Sequence, residues 1–267
     1  MIVEYHRPEQ LSEALALLAR ETPRTLPLGG GTVLSRVRKP DFAVVDLQRL
    51  GLNKIEKEGQ LLHIGATVTL QQLYETELVP ASIQDALRES LLHEVSRNLR
   101  QTATVAGLLA SCDGRSPFVT ALLALDPRMT WSPGEEIQPV GDYLPLREEF
   151  RGGRLITSVR IPLNPTLRFA QVARSPMDRP VVCAAVAMWP SGRTRLTLGG
   201  FGSAPILAMD GPEPVGAAVA AREAYRYAED AWAGAAYRGE TAGKLVQRLV
   251  AEAASPQDKA ADDQAVA

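Results

Sequence analysis

Residues 27–48 read PLGGGTVLSRVRKPDFAVVDLQ. An apolar run ends at Leu28, glycines fill 29–31, and TVLSRVR follows as a short helix-like segment. FAVVDL then closes the stretch as a buried strand, rich in β-branched residues. Glycine loses more conformational freedom on folding than any other residue, so three together mark a place that side chains would spoil. A strand, a glycine turn and a helix start make an anion site: amide N–H groups converge and no Cβ blocks the approach. Neither Gly-x-Gly-x-x-Gly nor Gly-Lys-Ser/Thr follows here, so a tight strand-to-helix turn is the competing reading.

On the N-terminal side, IVEYH reads as a strand and Pro8 opens a helix in which Leu11, Ala14, Leu15 and Leu18 recur at helical spacing. On the C-terminal side, NKIEKEGQLLHIGATVT predicts a hairpin turning at Glu58-Gly59-Gln60. The helices TLQQLYE and PASIQDALRESLLHEV come after it. A second stretch, NLRQTATVAGLLASCDGRSPFVTALLALD (98–126), places small and hydroxyl residues ahead of a turn and a buried helix. Small side chains there let backbone lie close to a ligand or a packed helix. From Leu155 on, five strand-like runs follow one another, and two helices close the block near 215–231 and 241–254. The order is α+β: mixed elements first, then an antiparallel sheet with helices grouped after it.

The chain has 267 residues, 45% hydrophobic and 22% charged, with a net charge of -2, which gives no reason to expect nucleic acid or an anionic membrane as partner. Two cysteines, Cys112 and Cys183, are too few for an iron–sulfur site or a disulfide framework. His6, His63 and His93 are too scattered to suggest a metal site. With no basic-then-apolar leader pattern and no apolar run of membrane-spanning length, a cytoplasmic protein is expected.

The order and spacing of several landmarks carry a resemblance. EYHRPEQLSEALALLAR, LPLGGGTVL, the segment VVDLQRLGLNKIEKEGQLLHIGATVTLQQL and LITSVRIP together resemble the flavin-binding subunit of molybdenum hydroxylases. That family includes the medium subunits of carbon monoxide dehydrogenase and the middle segment of xanthine dehydrogenase. The resemblance implies a two-lobed α+β FAD-binding domain of the vanillyl-alcohol oxidase type over 1–160. A smaller domain of antiparallel strands and helices would follow over 161–254, with a disordered tail at 255–267. The implied cofactor is FAD. Its pyrophosphate would rest on a first loop of Leu28, Gly29, Gly30, Gly31, Thr32 and Val33 and a second of Thr104, Ala106 and Gly107. Asp113, Ile156 and Gln171 complete the expected cofactor-binding set, with no residue assigned as catalytic.

This sequence also departs from the family pattern. Ala106 stands for a glycine, Leu108 for an asparagine, Pro117 for a ribose-binding aspartate and Gln171 for a lysine near the flavin ring. The implied partners are a large subunit carrying the molybdenum cofactor and a small subunit carrying two [2Fe-2S] clusters. Electrons would pass from those clusters through FAD to an external acceptor. The alternative expectation is a flavin-free relative kept as a scaffold subunit; a stand-alone flavoprotein oxidase stands further off.

Overall fold

The computed structural model describes residues 1–36, 39–147, 152–176 and 178–255. The tail expected to be disordered lies outside the described residues from 256 on. So do residues 37 and 38 of the expected short helix, whose described part is a single 3-10 turn, Leu34–Arg36.

In chain order the first elements are β1 (Ile2–His6), α1 (Leu11–Leu18), β2 (Thr25–Leu28), β3 (Phe42–Asp46), β4 (Ile55–Glu58) and β5 (Leu61–Gly65). The helices α2 (Leu70–Glu75), α3 (Ala81–Glu94), α4 (Arg97–Arg100), α5 (Val105–Ser111) and α6 (Pro117–Ala124) follow. Then come β6 (Arg128–Ser132), β7 (Glu136–Pro139), α7 (Val140–Leu146), β8 (Leu155–Pro162), β9 (Thr166–Val172) and β10 (Val182–Met188). The last are β11 (Thr194–Gly199), β12 (Ile206–Gly211), α8 (Ala217–Ala224) and α9 (Ala235–Ala254).

These form two compact units, each assembled from separated segments. The first takes residues 1–76, 95–111 and 127–161; the second takes 77–94, 112–126 and the chain from Pro162 on. A linear division at 160/161 differs from this one at 77–94 and 112–126.

The first unit holds two sheets. In the order β1-β3-β2 all strands run parallel, with β3 in the centre. Every residue of β3 is buried, as a continuous apolar run in a parallel sheet requires. Helix α1 lays Ala14 and Leu18 against Val45, Leu47 and Leu155. The second sheet has the order β4-β5-β8-β6-β7, and its first hairpin turns at Gly59, whose φ is +57°. Helix α2 begins with a reciprocal cap: the Gln72 amide donates to Thr69 Oγ1 at 3.1 Å, and the Thr69 amide donates to Gln72 Oε1 at 2.8 Å.

The second unit is built on the antiparallel sheet β12-β11-β10-β9. One face carries Val182, Ala184, Val186, Leu196 and Leu198, covered by Ala217 and Ala221 of α8 and Val246 and Leu249 of α9. On the other face lies α6, where Thr197 Oγ1 donates to the Thr120 carbonyl at 2.7 Å. Ser116 caps α6 by accepting from the Val119 amide, Pro117 fills its first turn, and all eight of its residues are buried.

Of the five strand-like runs from 155 on, the first is β8. It sits between β5 and β6 in the sheet of the first unit, while the other four make the second sheet. An apolar pattern identifies a strand; it does not say which sheet the strand joins.

Candidate functional site

Strand β2 delivers the first glycine loop. Its last residue, Leu28, is fixed by its carbonyl accepting the Leu47 amide at 3.1 Å. The three glycines then answer to three different constraints. A Cβ on Gly29 would stand 2.6 Å from Thr104 Oγ1, and one on Gly30 would stand 1.6 Å from the Thr102 carbonyl oxygen. Gly31 is left-handed at φ +69°, and a Cβ there would meet only Leu28 Cδ1 at 3.5 Å. Gly29 and Gly30 are therefore required by close approach of the second loop, and Gly31 by backbone conformation.

The first and second expected loops thus lie against each other within the first unit. The second loop is anchored on both sides of Thr104: Leu70 N–H donates to the Ala103 carbonyl, and Val105 N–H donates to the Val68 carbonyl. Thr104 Oγ1 accepts the Gly107 amide at 3.1 Å, capping α5. A Cβ on Gly107 would come within 2.7 Å of that same oxygen. Ala106 is buried in the first turn of α5 and does not adopt positive φ, so alanine costs no strain where the family pattern has glycine. Leu108 continues the same helix.

The loop amides decide whether the residues fit a flavin nucleotide. Among the described residues, no hydrogen bond has an amide of residues 29–33 as donor. The carbonyls of Gly31 and Val33 do accept, from Ser35 and Arg36. Amides without a partner around a left-handed glycine, with Thr32 half-buried and Val33 exposed, leave backbone donors available to an anion. Free backbone amides of this kind are the donors that a phosphate group takes, so the chemistry of the loop is compatible with a flavin nucleotide.

The remaining expected site residues divide. Both Asp113 carboxylate oxygens accept from Arg179, at 2.6 and 2.9 Å, and Oδ1 also accepts the Arg115 amide. Ile156 is a buried strand residue of β8, opposite Trp131 on β6. Gln171 lies on β9 opposite Cys183, and its Oε1 is buried with no hydrogen-bond partner among the described residues. Asp113 and Gln171 belong to the second unit, the two loops and Ile156 to the first.

Beside the first loop lies a residue the sequence reading left out. Gln48 Nε2 donates to the Gly29 carbonyl at 2.9 Å. Its own amide donates to Asp46 Oδ1 at 2.9 Å, while Asp46 Oδ2 accepts from the Tyr5 hydroxyl and faces Arg7 Nε at 3.3 Å. The Asp46 carboxylate pushes the Tyr5 hydroxyl pKa up, chiefly through that hydrogen bond. The only sequence signal was position: an exposed amide side chain two residues past a buried aspartate at a strand end.

Residues 1–164 match the FAD binding domain in molybdopterin dehydrogenase, and the chain belongs to that family. FAD is the cofactor the sequence led us to expect. The chain is 32% identical over 207 residues to the uncharacterized protein YgfM of Escherichia coli (strain K12), covering 76% of each. It is 28% identical to the carbon monoxide dehydrogenase medium chain of Afipia carboxidovorans, covering 94% of this chain and 96% of that one. The reconstituted CO dehydrogenase structure from Oligotropha carboxidovorans superposes with a TM-score of 0.78 at 26% identity, over 94% of this chain and 96% of that one. Among the described residues, no helix is long and apolar enough to cross a membrane, and no group of three or more His, Cys, Asp or Glu is placed to hold a metal ion.

Proposed function

We propose that this chain is the flavoprotein subunit of a molybdenum-containing hydroxylase or dehydrogenase and works in the cytoplasm. Its part is to hold FAD and pass electrons from the [2Fe-2S] clusters of a small partner subunit to an external acceptor. Organic substrate would be oxidised at the molybdenum cofactor of a large partner subunit. Bound FAD supplies the redox chemistry, and the protein supplies binding, orientation and electrostatics. Residues 28–33, with Thr104, Ala106 and Gly107 behind them, would hold the pyrophosphate. Asp113, Ile156 and Gln171 are proposed as the remaining cofactor-binding residues.

The observation that carries this reading is the first loop itself. The amides of residues 29–33 make no hydrogen bond among the described residues, although the loop is pinned at Leu28, Gly29 and Gly31. A second reading, a flavin-free scaffold, draws on the same contacts. Loop packing alone accounts for Gly29 and Gly30, and Arg179 already occupies Asp113. The visible absorption spectrum of the full chain, taken after FAD addition and gel filtration, separates them. Stoichiometric retained flavin is the expected result. A folded chain that emerges colourless would favour the scaffold.

A further inference from the structure

We infer that Gln48 is a positioning residue for the pyrophosphate loop. It would act by fixing the Gly29–Gly30 peptide so that the Gly30 N–H faces the ligand. The inference rests on the flavin reading above and goes beyond it by assigning a residue outside the loops.

In a trans peptide the C=O and N–H point in opposite directions. The side-chain amide of Gln48 grips the Gly29 carbonyl, so it also sets where the Gly30 N–H points. Gly30 packs close to the Thr102 carbonyl, which fixes its place without engaging its polar groups; among the described residues, the Gln48 bond is the one hydrogen bond made by this peptide's C=O and N–H. Gln48 is itself tethered: its amide is bonded to Asp46, a buried carboxylate held by Tyr5 and Arg7. The chain of contacts from Tyr5 and Arg7 through Asp46 and Gln48 to Gly29 ends at a stretch, residues 29–33, whose amides have no partner among the described residues. Gln48 is exposed and has no part in the core, so its side-chain bond serves the loop and little else.

The test is Gln48→Met in the full chain, which keeps length and volume and removes the donor. FAD affinity is read by titration of the flavin-stripped protein, ADP affinity by competition, and apo stability by thermal unfolding. Loss of one hydrogen bond that orients the loop is expected to weaken FAD roughly 2- to 12-fold. ADP, which carries the same pyrophosphate, should weaken by the same factor, with the apo unfolding temperature unchanged. Wild-type affinity for both ligands in the variant would overturn the inference. So would a drop in apo stability with ADP binding unaltered, which would make Gln48 merely structural. If the wild-type chain binds no FAD, the flavin reading falls first and this inference with it.

Discussion

Three adjacent glycines look alike in the sequence and behave differently in the fold. Gly30 is a glycine for lack of space, with a Cβ 1.6 Å from a carbonyl oxygen, whereas Gly31 is one for conformation, at φ +69° with room around it. The two are expected to differ in their response to asparagine, which tolerates the left-handed region better than alanine does. Gly30→Ala and Gly30→Asn are both expected to cost about 1–3 kcal/mol or more, since backbone must move. Gly31→Ala is expected to cost about 1–2 kcal/mol, and Gly31→Asn distinctly less. Denaturant midpoints of the four variants check this; equal losses for Ala and Asn at position 31 would contradict the conformational explanation. Ala106 raises the converse question. Sequence comparison made it a suspect, because a glycine in that place reads as room for a cofactor. In the fold it is an ordinary residue of the first turn of α5, so Ala106→Gly is expected to lower stability by roughly 0.5–1 kcal/mol through helix entropy. Thermal unfolding of that variant is the check, and a stabilised variant would reinstate the strain.

At the scale of elements, the junction between α3 and α6 carries a titratable contact. Glu94, at the end of α3, accepts the Ser116 hydroxyl at 2.7 Å and the Phe118 amide at 3.0 Å through a single carboxylate oxygen. Burial pushes its pKa up to about 7, against those hydrogen bonds, which pull it down. The folded state therefore binds a proton that the unfolded chain has released at the same pH. Stability from this group is fully present below the ordinary glutamate value, near 4.5, and is lost as pH rises toward about 7. Glu94→Gln keeps an oxygen for both donors and removes the charge. It is expected to flatten the fall in urea midpoint between pH 5 and pH 8 and to be the more stable form at pH 8. An unchanged slope in the variant would assign the pH dependence to other groups.

None of that junction was legible in the sequence, because Glu94 and Ser116 lie 22 residues apart and only the packing of the helices joins them. What the sequence showed well was local: the hairpin at Gly59, the proline-led helix at 117 and the buried β3 strand each carry their own turn, cap or apolar run. The loops were legible as loops, through small residues in short stretches. Their contact, Gly30 against Thr102, was not, since no periodicity records which loop a glycine faces. Gln48 escaped for the same reason: its role depends on the carbonyl 19 residues earlier that its side chain reaches.

At the scale of the whole molecule, the two units share one chain in an interleaved order, and this bears on where the protein can be cut. The sequence suggested an N-terminal domain ending at 160, but α3 and α6 lie in the unit built on β9–β12. Helix α6 contributes Phe118, Val119, Leu122 and Leu123, each at most 1% exposed, and packs on β9, β10 and β11. A fragment of residues 1–161 would keep both helices and lose the sheet they cover. Each large apolar side chain stripped of its partner forfeits about 1.5–3 kcal/mol, and four of them approach the whole stability of a typical domain. The fragment is therefore expected to bind a hydrophobic dye, to lack a cooperative thermal transition, and to aggregate at concentrations where the full chain stays monodisperse. Dye fluorescence and near-ultraviolet circular dichroism of the two proteins side by side measure it. A fragment that unfolds cooperatively and leaves the dye dark would mean that 1–160 is an autonomous domain after all, with α3 and α6 able to bury themselves without the second sheet.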